Sequence, residues 1–210
     1  MKRKLGITSM VLGVALVLGA LFLSQANQKE DFTAKENATI VLPQLVEQIQ
    51  HNNALPESET YPVALLQKPT KLLTEEEKKM AEVEINGHLY IGYLSVPSLE
   101  LDLPIMSDWS YPKLKIAPCR YAGTLLGEDL VLMAHNYNSH FGRFTDLELD
   151  DTVIFTDVDG IVTCYQVVAK DILSPDSVEE MTAGAFDLTL FTCTYGGKSR
   201  VTVYCDKVDP

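Results

Sequence analysis

The chain has 210 residues, 46% of them hydrophobic and 22% charged, with a formal net charge of −12. That is enough apolar material for one domain with appendages, and too little charge for a disordered polyelectrolyte. The acidic balance, without any basic stripe, argues against nucleic acid as a partner.

Lys2-Arg3-Lys4 precede an uncharged run from Leu5 to Leu23, rich in Leu, Val, Ala and Gly. As a helix that run extends roughly 28 Å, close to the hydrocarbon thickness of a bilayer. The basic cluster before it orients the N-terminus to the cytoplasmic side. Ser24-Gln25-Ala26 has the small-x-small character of a cleavage site, but the run is longer than a cleavable leader needs. The expectation is a cell-membrane protein, single-pass through Leu5–Leu23, with residues 1–25 as cytoplasmic N-terminus and anchor and the rest extracellular.

Residues 26–84 are mostly polar and carry Pro43, Pro56, Pro62 and Pro69. They read as an extracellular spacer with short helices. One is expected over Leu42–Gln50, and another opens at the capping box Thr74-Glu75-Glu76-Glu77 and runs to about Val83.

From Ile85 the pattern changes to short runs with period-two alternation and turn punctuation. Strands are expected over Leu89–Val96, Leu103–Met106, Thr124–Ala134, Thr152–Asp157, Ile161–Ala169, Leu188–Cys193 and Arg200–Cys205. Asp157-Val158-Asp159-Gly160 and Gly196-Gly197 mark hairpin turns. Helix signals are short, at Trp109–Leu114, Phe144–Leu147 and Ser177–Thr182. The pattern predicts an all-β sandwich or closed barrel over residues 85–210.

Four cysteines occur, Cys119, Cys164, Cys193 and Cys205, without C-x-x-C spacing or a tight Cys/His cluster. Structural zinc therefore has little support. Cys193 stands apart, because the strand it ends leads through Gly196-Gly197 into a strand beginning at Arg200. In such a hairpin the two face each other, and a guanidinium there favours the thiolate and offers donors to an oxyanion. Read separately, each also fits a buried small residue and a solvated arginine. A Cys193–Cys205 bridge is disfavoured, since Cys205 lies roughly 17 Å along the partner strand. His135 follows the apolar strand Asp129–Ala134, at the rim, where an imidazole can give and take protons near neutrality. His140 reads as a loop residue, and His135 with His140 as a metal pair lacks a third ligand. His51 and His88 carry no assigned role.

Together these segments resemble the sortase family. Thr189-Leu190-Phe191-Thr192-Cys193 matches its T-L-x-T-C motif, the strand-ending His135-Asn136 matches its catalytic histidine, and Arg200 matches its third catalytic residue. The stretch from Tyr90 to Ile105 is similar to the opening strands of that domain. The resemblance implies a closed eight-stranded barrel and a cysteine transpeptidase. It implies Cys193 as nucleophile, His135 as acid/base group and Arg200 as oxyanion partner, with Arg120 and Arg143 as weaker candidates for that last role. Substrates would be surface proteins bearing a C-terminal sorting signal similar to Leu-Pro-x-Thr-Gly, transferred through a Cys thioester to a peptidoglycan-precursor or pilin amine. No metal or organic cofactor is implied. Asn136 is a candidate to orient His135 or bind substrate, and Thr192 and Tyr195 are candidates to shape the pocket. Only six residues separate Cys193 from Arg200, a shorter loop than many members carry. No large helical insert fits within Val158–Met181. Two other readings remain: a membrane-anchored cysteine peptidase releasing product to water, which the same residues would serve, and a non-catalytic surface β-domain.

Overall fold

The computed structural model describes residues 2–54 and 79–208. It opens with α1 (Lys2–Ala54), followed by strands β1 (Val83–Ile85), β2 (His88–Val96) and β3 (Leu101–Met106). A short helix α2 (Tyr111–Leu114) leads to β4 (Cys119–Ala122) and β5 (Leu130–Ala134). Then come β6 (Thr152–Asp157), β7 (Val162–Leu173), helix α3 (Val178–Thr182), β8 (Leu188–Cys193) and β9 (Arg200–Lys207).

The strands run in the order β1-β2-β3-β4-β5-β8-β9-β7-β6, and β6 pairs back onto β2. That pairing closes eight strands into a barrel, with β1 added to β2 as a hairpin. Alternation decides what fills it. Leu130, Leu132 and Ala134 of β5 meet Leu188 and Leu190 of β8 and Val203 and Cys205 of β9 in the interior core. The intervening Val131 and Phe191 belong to a separate outer cluster with Leu173 and Met181. β8 is therefore apolar on both faces, and its outer face leads to Cys193.

Where the sequence has strong alternation bounded by turns, the expected and observed strands coincide, as for Thr152–Asp157 and Leu188–Cys193. Asp157 fixes the β6–β7 turn by accepting from the Asp159 and Ile161 amides. The expected strand Thr124–Ala134 is shortened to β5, because Thr124 and Asp129 bind each other in a turn. There the Thr124 amide donates to Asp129 and the Gly127 amide to the Thr124 hydroxyl.

The N-terminal half departs further from expectation. A single helix replaces the separate short one over Leu42–Gln50, running on through Pro43. Ala34, Ala38, Val41, Leu45 and Ile49 form a buried stripe at helical spacing. Its lower part packs on Ile85, Tyr90, Met106, Leu114 and Cys119, covering the outside of the barrel. The helix expected from Thr74 lies mostly outside the described residues, and Lys79–Glu82 at its end carry no helix.

No helix among the described residues is long and apolar enough to cross a membrane. This overturns the single-pass anchor over Leu5–Leu23, with the membrane contact and the orientation derived from that span. The apolar run does not end at a helix terminus but passes directly into Ser24, Gln25, Asn27, Gln28 and Lys29 of the same helix. It is one end of a longer mixed helix whose other end is docked on the barrel.

Candidate active site

Strand register brings the three candidate residues together. Cys193 pairs directly with Arg200 across the antiparallel β8–β9 ladder. Ala134 pairs with Thr192 in the parallel β5–β8 ladder, so the chain leaves these adjacent strands side by side as His135 and Cys193. Neighbouring strands lie about 4.8 Å apart, which sets the scale of the site. Cys193 and Arg200 follow the outer-face parity of Phe191 and Thr202, with which they alternate.

The β8–β9 turn is tight because Gly196 and Gly197 adopt φ of 82° and 71°, where a side chain is strained. Within it the Thr194 amide donates to the Ser199 carbonyl and the Gly197 amide to the Thr194 carbonyl. Arg200 Nη1 donates to the Gly197 and Ser199 carbonyls, which tethers the guanidinium at the mouth of the turn. Tyr195, at the tip, is largely exposed.

Thr192 is buried, and its hydroxyl donates to the Ala134 carbonyl at 2.9 Å. It clamps the strand that ends in Cys193 to the strand that leads into His135, using its one donor inside the protein. Arg120 and Arg143 are tethered to carbonyls as Arg200 is, but neither lies on the strand that pairs with Cys193. Arg120 donates to the Ser107 and Gly123 carbonyls, and Arg143 to the Leu99 carbonyl.

All four cysteines are free thiols. Burial pushes the Cys119 and Cys205 thiols up to about 12, so both stay protonated and inert at neutral pH. Cys193 is half-buried, at the surface end of its strand.

His135 begins a compact loop. The Phe141 amide donates to the His135 carbonyl, and the His140 and Gly142 amides both donate to the Tyr137 carbonyl. Gly142 permits this: a Cβ there would lie 2.5 Å from the Asn136 carbonyl oxygen and 2.7 Å from that of Tyr137. Asn136 sits half-buried in the fold of the loop. The His135 ring lies against the Tyr137 ring, centroids 4.8 Å apart. Its Nε2 is buried without a hydrogen-bond partner among the described residues. Burial lowers the His135 pKa, the nearby Glu30 carboxylate opposes that, and Lys115 adds to it.

Sequence reasoning missed the contribution of α1. Glu30 accepts from the Tyr137 hydroxyl at 2.8 Å and pairs with Lys115 at 3.0 Å. Asp31 accepts from the Ser139 amide at 2.9 Å. Both carboxylates come from more than a hundred positions upstream, and nothing local in the sequence signals the contact.

On the other side of the hairpin, aromatic rings run toward the site. Tyr121 packs edge-on against Phe191 at 5.2 Å, and Trp109 lies against both Tyr121 and Tyr111. Phe191 is two residues before Cys193, on the same strand face.

Comparison with known proteins bears on the domain and its fold. The sortase domain model matches residues 94–208. No protein with a curated description matches the chain. Among solved structures, sortase C1 of Streptococcus suis is 26% identical, with a TM-score of 0.52, covering 58% of this chain and 74% of its own. Sortase C1 of Streptococcus agalactiae is 23% identical, with a TM-score of 0.55, covering 66% and 78%. Sortase C of Streptococcus pneumoniae, a structure concerned with pilin substrate specificity, is 21% identical, with a TM-score of 0.53, covering 89% and 97%. With more than half its length matched by the domain model and the closed barrel in common, the chain belongs to the sortase family of cysteine transpeptidases.

Proposed function

We propose that Cys193, His135 and Arg200 carry the transpeptidation, on a protein substrate with a sorting signal similar to Leu-Pro-x-Thr-Gly. The observation that supports this most directly is the register. One ladder pairs Cys193 with Arg200, and the next sets His135 at the neighbouring strand end.

The Cys193 thiolate attacks the threonine carbonyl, forming a C–S bond and a tetrahedral oxyanion that accepts from the Arg200 guanidinium. Collapse breaks the C–N bond, and His135 gives its proton to the departing amine. A thioester on Cys193 remains. An incoming amine then loses a proton to His135, attacks the thioester carbonyl and releases the thiolate. The accepting amine is that of a peptidoglycan precursor or of a pilin lysine. The aromatic run ending at Phe191 is a suitable floor for the apolar residue of the signal, with Tyr195 and Asn136 flanking the reacting carbonyl. Thr192 acts by holding the two strands together. The catalytic body is residues 85–210.

The test is intact mass spectrometry of the chain incubated with a Leu-Pro-x-Thr-Gly peptide, with and without triglycine. The expected result is an acyl adduct on Cys193 that disappears into a ligated peptide when the amine is added. A ligated product that still forms with Cys193→Ala would sink the assignment.

A further inference from the structure

The His135 ring has no hydrogen bond on Nε2 among the described residues, so something else must fix its orientation. The group in contact is Tyr137, tilted 32° against it. Tyr137 is itself fixed at both ends. Its carbonyl accepts from two amides of the loop, and its hydroxyl donates to Glu30 on α1. Its ring also meets His140, at 5.5 Å. The other oxygen of Glu30 is held by Lys115.

We propose that Tyr137 is a positioning residue for His135, and that Glu30 on α1 holds Tyr137 in place. The N-terminal helix thereby completes a site whose reacting groups all lie on the barrel. The inference rests on His135 being the acid/base group. A misplacement of about 1 Å in such a group is enough to slow a reaction up to about a hundredfold. The charged and titratable groups facing His135 are Glu30 from α1, Lys115 after α2, and Tyr137 and His140 in its own loop. Cys193 ends the neighbouring strand β8, and Arg200 opens β9 beyond it.

The experiment uses the full chain with Glu30→Gln, Tyr137→Phe and the double variant. Glu30 is half-exposed, so its amide replacement does not threaten the fold. With the sorting-signal peptide and triglycine, each single variant lowers kcat about tenfold at unchanged KM, and the double variant falls no further. Independently of turnover, the His135 imidazole is titrated by NMR. In Glu30→Gln its midpoint moves to lower pH, because the opposing carboxylate is gone and Lys115 is unpaired. Single variants within twofold of the parent in kcat, additive losses, or an unmoved midpoint would overturn the proposal. Turnover surviving in His135→Ala instead points to failure of the underlying assignment, whereas a dead His135→Ala beside a fully active Glu30→Gln removes this inference alone.

Discussion

The β8–β9 hairpin and the loop after His135 both deliver catalytic candidates to the same rim, but they are held by different means. Cys193 and Arg200 are fixed by a local ladder and a two-glycine turn, all within fifteen residues or so of one another. His135 stands at the head of a loop closed on its own carbonyls and braced from outside by Glu30 and Asp31. A hairpin carries its geometry with it. The histidine's geometry depends on a segment that meets it only after the chain has folded.

The comparison breaks most severely at the sulfur. Cys193→Ala should reduce transpeptidation at least about a thousandfold while thermal unfolding is unchanged, since a half-buried thiol contributes little packing. Kinetics and calorimetry on the same preparation check both halves. Next comes a contrast between two glycines. Gly142→Ala pushes a methyl into the Asn136 and Tyr137 carbonyls and should cost about 2–3 kcal/mol in denaturant unfolding, with activity falling alongside. Gly196→Ala meets open space and bears only the left-handed backbone penalty, about 1–2 kcal/mol. Equal losses would mean that the two regions are constrained alike.

Thr192→Val removes the link between them. It strips the Ala134 carbonyl of its buried partner and should cost about 1–2 kcal/mol. Urea titration checks it, with kcat falling more than KM rises.

The smallest effect concerns acid. His140 is fully buried, and burial brings its pKa down to about 4, with neighbouring His135 adding to this and Asp31 and the Ile116 backbone opposing it. The unfolded chain binds that proton more readily, so stability is full above the unfolded value of about 6.5 and declines as pH falls toward 4. Melting temperatures should drop by a few degrees between pH 7 and pH 5, and His140→Phe should flatten that slope. A slope unchanged in that variant would assign the loss to other groups.

Much of the barrel was legible because alternation and turn residues are local signals. β6 and β8 have their expected bounds, and the Asp157–Gly160 and Gly196-Gly197 turns lie where their φ requirements suggest. β4 escaped notice because it is only four residues after Pro118, and it is recruited by parallel pairing to β3 and antiparallel pairing to β5. α1 misled the reading at both ends. Pro43 suggested interruption where a buried stripe on the barrel sustains the helix, and the apolar run suggested a membrane span where polar residues continue the same helix. The site divides similarly. The pairing of Cys193 with Arg200 was legible from one segment, whereas the contacts of Glu30 with Lys115 and Tyr137 beside His135 arise only through long-range docking.

The pairing of β5 with β8 has a kinetic consequence. Ala134 and Thr192 are 58 positions apart, and their strands run in the same direction, so no short turn can bring them together. Loop closure on that scale precedes any reward from the contact, which makes it a late event on the route to the native state. During refolding, the sulfur and guanidinium should find each other early and wait for the imidazole, so catalytic competence returns as one of the last properties the protein recovers.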